Sequence, residues 1–279
     1  IRLRDRNFIC DKIGVRIHTM TRRRFLPAAA AASASLTSAA AQTSNPAILE
    51  LRTAYLRNGA DAQRARMADF IEKSTLPMLQ KYGAGPVAVF GNTIGPDGPY
   101  IRIAVQYPSL AAMEETRAKM NVDASYKKAT DKYLAAPGLP YVRLENEIIK
   151  TVPWMSGIEI PKHDGKRANL IFELRTYESN TSATLEHKVK MFADGEMALF
   201  RRLGMVPVFF GTTIIGKRMP NLVYMLGYES LAHREKVWGA FVKDPEWVKM
   251  RDTPGNSDAE IVSNISSVML SPLSFSQVK

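Results

Sequence analysis

From residue 169 the chain reads NLIFELRTYE, a run of β-branched, aromatic and apolar residues interrupted by one charged pair. Strand alternation sends Leu170, Phe172 and Leu174 to one face, and Ile171, Glu173, Arg175 and Tyr177 to the other. Over 182–203 the apolar spacing becomes helical, through Leu185, Val189, Phe192, Leu199 and Leu203, with Gly204 as the stop. VPVFFGTTII and NLVYMLGYE return to strand character and predict a hairpin around 216–221. A helix follows from Ser230 as its N-cap, a shorter one from Pro245, and AEIVSNISSVMLSP closes as a strand. The order is β-α-β-β-α-β, the ferredoxin-like split unit.

The same series occurs earlier in the chain. Glu50 to Thr53 spell ELRT, as do Glu173 to Thr176, 123 residues on. KYGAGPVAVFGNTIG (81–95) parallels RLGMVPVFFGTTIIG (202–216), and an offset of 121 pairs Gly83 with Gly204, Tyr107 with Tyr228, Ser109 with Ser230 and Asp123 with Asp244. The expected fold is therefore α+β, with two tandem ferredoxin-like units at 47–152 and 168–275. A linker at 153–167 joins them, broken by Pro153, Gly157, Pro161 and Gly165. The two sheets are expected to pack within the chain as a barrel. In this reading the Glu173, Arg175 and Tyr177 face gives a partly polar interior, and the Leu170, Phe172 and Leu174 face receives the helices.

ELRTY at 173–177, RLGMVPVFFG at 202–211, YESL at 228–231 and DPEW at 244–247 resemble the NIPSNAP family. The first unit is more diverged, with Ala54 opposite Tyr177 and Tyr126 opposite Trp247. The resemblance implies an intrachain version of the dimeric α/β-barrel superfold. Relatives of that superfold include cofactor-free monooxygenases, dehalogenase-like enzymes and haem proteins, so the resemblance leaves the chemistry open.

Composition changes the picture at the N-terminus. MTRRRFLPAAAAASASLTSAAAQ, from Met20, has the layout of a twin-arginine export signal ending near Ala41, and predicts a periplasmic or secreted protein. Residues 1–19 read as an upstream extension without structure, and the Ala-rich stretch of the signal is too short for a permanent membrane span. The net charge of +11 falls to +5 beyond residue 41, where 30 basic residues face 25 acidic ones, interleaved; nucleic acid is not an expected partner. Cys10, the one cysteine, lies in the same segment, which leaves no thiol nucleophile or Cys-based metal site beyond it.

Two readings compete for the repeated charges. In one, Glu50/Arg52 and Glu173/Arg175 satisfy one another across the pseudo-twofold as a structural set. In the other, Arg175 anchors an anionic or carbonyl ligand inside the barrel, with Tyr177, His187, Glu173 and Arg52 around it. The histidines form no metal-ligand cluster, so no metal or other cofactor is expected; haem through His187 is the alternative. SYKKATDKY (125–133) reads as a solvated helix face. No constellation specifies a reaction. The functional alternatives are a small-molecule protein, binding or acting without a metal on an apolar carbonyl or phenolic compound, and an interaction module with a filled barrel. A homo-oligomer is compatible with either.

Overall fold

A strand buried on both faces needs a packed layer on each side. The computed structural model, which describes residues 45–59, 62–162 and 168–279, shows what those layers are. The predicted signal, the upstream extension and His163 and Gly165 of the linker lie outside the described residues.

The first half of the chain contributes β1 (Ile48–Tyr55), β2 (Val87–Ile94), β3 (Tyr100–Tyr107) and β4 (Arg143–Thr151). The second half contributes β5 (Ile171–Glu178), β6 (Val206–Ile215), β7 (Asn221–Tyr228) and β8 (Asn264–Pro272). These strands close into one antiparallel barrel in the order β1-β3-β2-β8-β5-β7-β6-β4. The halves meet at two seams, β2 with β8 and β4 with β6. At the second seam a Cβ on Gly211 would lie 2.6 Å from the Lys150 carbonyl oxygen, so the strands approach too closely for any side chain there.

Helices lie outside the barrel. In the first half α1 (Gln63–Phe70), a π-helical turn (Ile71–Thr75) and α2 (Leu76–Lys81) follow β1, and α3 (Leu110–Val122) and α4 (Ala124–Leu134) follow β3. The second half repeats this with α5 (Ser182–Met191), a π turn (Phe192–Glu196), α6 (Met197–Arg202), α7 (Leu231–Phe241) and α8 (Pro245–Arg251), then adds α9 (Asp258–Ile261). The repeated serines and aspartates are caps: Ser109 and Ser230 accept from main-chain N–H groups of α3 and α7, and Asp123 and Asp244 do so for α4 and α8. Among the described residues no helix is long and apolar enough to cross a membrane.

Leu49, Leu51, Phe90, Phe172, Leu174 and Leu270 fill the barrel interior, where the Phe90 and Phe172 rings lie 5.1 Å apart. The expected polarity is therefore inverted. The Leu170, Phe172 and Leu174 face turns inward, and Glu173, Arg175 and Tyr177 lie beneath the helices of the second half. An eight-stranded barrel is only wide enough for side chains to fill it, and apolar ones fill it without needing partners. The helices outside supply the donors and rings that a buried charge requires. One end of the barrel is plugged by the buried side chains of Val278 and the linker residue Ile158, whose main-chain N–H donates to Gln106 Oε1 at 2.7 Å. The other end, beside the two hairpins, is polar.

Candidate ligand groove beneath the helices

Burial obliges Glu173 to find donors, and it is surrounded by them. Its carboxylate accepts from Arg234 Nη2 at 2.6 Å and Nε at 2.9 Å, Arg175 Nη1 at 2.7 Å, Tyr228 Oη at 3.1 Å and Ser267 Oγ at 2.5 Å. Burial pushes the carboxyl up; the Arg234 hydrogen bond, the Arg175 charge and Ser267 outweigh it and hold the group down at about 2. Arg175 also donates to Tyr224 Oη and Tyr177 Oη, at 2.9 and 3.1 Å, with the Trp238 ring 4.5 Å from its guanidinium carbon. Tyr177, Phe192, Phe200, Phe210 and Tyr224 pack in successive ring contacts around it. This face is filled.

The first half places the same motif in a different setting. Glu50 is 1 % exposed and accepts from Arg52 Nε and Nη2 at 3.1 and 2.9 Å, from Arg117, and from Tyr107 Oη at 3.4 Å. The second half's ring cluster is not repeated here, because smaller or polar residues stand at the corresponding places; the rings present are Phe70, stacked on Tyr133 and Tyr126. Counting along matched elements, Ala54 replaces Tyr177, Ile71 replaces Phe192, Leu79 replaces Phe200, Ile103 replaces Tyr224 and Arg117 replaces Trp238. Two hollows of about 360 and 450 Å³ result, sharing Arg52, Thr75, Ile103, Asn121, Tyr126 and Leu144 in their walls. Met67, Phe70 and Tyr133 line the larger one; Glu50, Tyr107 and Arg117 line the smaller. Arg117 Nε and Thr130 Oγ1, one from each hollow's wall, are buried without a protein partner among the described residues. Together the hollows form a groove with an apolar floor and a cationic end.

The structure thus separates residues that the sequence reading had grouped. Glu173, Arg175 and Tyr177 are together but fully engaged with one another and their neighbours. Arg52 lies in the other half, on the groove. His187 is exposed on α5, its Nε2 2.6 Å from Asn256 Oδ1, away from both sets. The repeated charges do not pair between the halves, contrary to the expectation from the sequence: each carboxylate takes arginines from its own half, with Arg117 of α3 and Arg234 of α7 as the added partners. Those two arginines occupy different turns of matched helices, so the repeat offset does not align them. The stretch 125–133 is also corrected. Tyr126, Thr130 and Tyr133 turn inward to the groove while Lys128 and Lys132 stay exposed, so only part of the helix is solvated. Lys188 is a buried charge that no sequence motif marks. It stands three residues after Leu185, on the buried side of α5, and bonds Glu196 Oε2 at 3.2 Å.

Residues 172–277 match the family model for NIPSNAP. Among solved structures, a candidate monooxygenase from Fusobacterium nucleatum is 12% identical over 82% of this chain and 93% of that one, with a TM-score of 0.54. A candidate monooxygenase from Lactobacillus acidophilus is 12% identical over 81% and 94%, with a TM-score of 0.50. A NIPSNAP family protein from Agrobacterium tumefaciens is 22% identical over 40% of this chain and all of its own length, with a TM-score of 0.35. No curated protein matches the chain. At these identities the likeness to solved structures establishes the fold alone.

Proposed function

We propose that the chain binds a small apolar compound bearing a carbonyl or phenolic oxygen, and that the groove of the first half is the site. The observation that carries this is the loss of bulk at matched positions: where the second half has Tyr177, Phe192, Phe200 and Tyr224, the first has Ala54, Ile71, Leu79 and Ile103. The hollows left are within the range used by small-molecule sites. Two guanidiniums share one carboxylate at the polar end, so the local charge is net positive and favours a phenolate or enolate oxygen. The unpartnered Arg117 Nε–H is the natural donor to that oxygen. The body of the ligand would lie along Met67, Phe70 and Ile103.

In this proposal residues 47–152 are a diverged NIPSNAP-like unit, freed for ligand binding while the second half keeps a filled face. The twin-arginine reading of residues 20–41 places the activity outside the cytoplasm. The test transplants the second half's own side chain into the first. Ile103→Tyr should leave the melting temperature unchanged or raised, since it adds a ring to a hollow. The same variant should abolish the thermal shift that 1-naphthol or 1,4-naphthoquinone gives the unsubstituted protein. A shift that persists in the filled variant, or none in the unsubstituted protein, rejects the groove as the site and favours the interaction-module reading.

A further inference from the structure

The open end of the barrel holds a second cavity, of about 370 Å³, separate from the groove. Tyr100, the first residue of β3, and Asn221, the first of β7, stand at matched positions on opposite halves, and both line it. They are 2 % and 1 % exposed. Tyr100 Oη and Asn221 Oδ1 are each buried without a protein partner among the described residues. The orientation of the Asn221 amide is set by its nitrogen, which donates to the Lys217 and Arg218 carbonyls at 2.9 Å each; the unpartnered atom is therefore an acceptor. Two buried polar atoms with unmet hydrogen bonds, brought to one cavity from both halves, make a built site.

Charge narrows the ligand. Arg143 is paired with Asp97 and Glu145, Lys217 with Glu145, and Arg218 approaches Glu178 at 3.9 Å. Arg102 differs. Its side-chain hydrogen bond runs from Nε to Thr53 Oγ1 at 2.9 Å, and its guanidinium forms no salt bridge among the described residues. The nearby Glu147 carboxyl is pushed up by burial, with the Arg102 and Lys217 charges opposing. Tyr55, Leu174 and Val268 give the cavity an apolar wall.

We propose that this mouth binds a small aromatic α-hydroxycarboxylate. The carboxylate meets the Arg102 guanidinium and the Tyr100 hydroxyl, the ligand's own hydroxyl donates to Asn221 Oδ1, and the ring lies on Tyr55 and Leu174. A ligand lacking the carboxylate leaves Tyr100 Oη unmet, and one lacking the hydroxyl leaves Asn221 Oδ1 unmet.

Isothermal titration of the full chain with mandelate, phenylacetate and mandelamide tests this. Mandelate should bind about tenfold more tightly than phenylacetate, which lacks the hydroxyl, or mandelamide, which lacks the charge. Tyr100→Phe should weaken mandelate about tenfold while leaving the melting temperature of the free protein unchanged or higher, because it deletes an unsatisfied hydroxyl. Arg102→Met should remove the preference for mandelate over mandelamide. Should that variant not fold, Tyr100→Phe decides alone. Ile103→Tyr, which fills the groove, should leave mandelate binding intact, so failure of either site is told from failure of the other. No measurable mandelate binding, equal affinity for phenylacetate, or indifference to Tyr100→Phe overturns the assignment.

Discussion

Two buried carboxyls respond to pH in opposite senses. Glu173 has a folded value of about 2, below its ordinary 4.5, so its stabilisation is complete above 4.5 and is lost as pH falls through about 2. Glu196 is raised to about 6, by burial first, with the Lys188 charge and hydrogen bond opposing, so its native form is the more protonated one between 4.5 and 6. Stability from that group therefore falls as pH rises from 4.5 through 6. Denaturant melts from pH 2 to 7 should show an acid limb from Glu173 worth about 3 kcal/mol. Glu173→Gln should flatten that limb and lower stability at pH 7 by about 3 kcal/mol or more, since Arg175 and Arg234 then lack their carboxylate. An acid limb as steep in the variant as in the parent would show that another group supplies it.

At the scale of elements, packing decides what a matched position is used for. Phe192 opens the second π turn and touches the rings of Tyr177, Phe200, Phe210 and Tyr224; Ile71 opens the first and borders a hollow. Phe192→Ala should cost about 4 kcal/mol, and Ile71→Ala markedly less, because the latter enlarges a space that already exists. Urea midpoints of the two variants compare them directly, and equal losses would mean the first face is as tightly packed as the second. The strands and helices were legible in the chain because period and repeat specify them locally: Ser230 caps α7, and α8 starts at Pro245, where the sequence places them. Which face of β5 turns inward was not legible. Alternation separates Leu174 from Arg175 but does not say which layer lies on which side, and that depends on donors from Arg234 and Ser267, 61 and 94 residues away in sequence. The groove was hidden for a related reason. Ala54 opposite Tyr177 is visible in an alignment of the halves, but it borders a cavity only because Ile71 and Ile103 line the same hollow.

For the whole molecule, the barrel is a closed ring of pairings drawn from one chain. Both seams, β2 with β8 and β4 with β6, join residues far apart in sequence. The segment 152–170 holds the two halves at a local concentration that dilution cannot change. Formation of the ring is then a first-order event. The melting midpoint should be the same at micromolar and at hundredfold lower protein, whereas seams formed by exchange between copies would lower it on dilution. A tethered ring has a further freedom. Its halves need not be self-complementary, as the two faces of a symmetric dimer must be, so one substitution alters one face and leaves its counterpart untouched. A ligand of the groove should accordingly saturate at one molecule per chain, along a simple hyperbola.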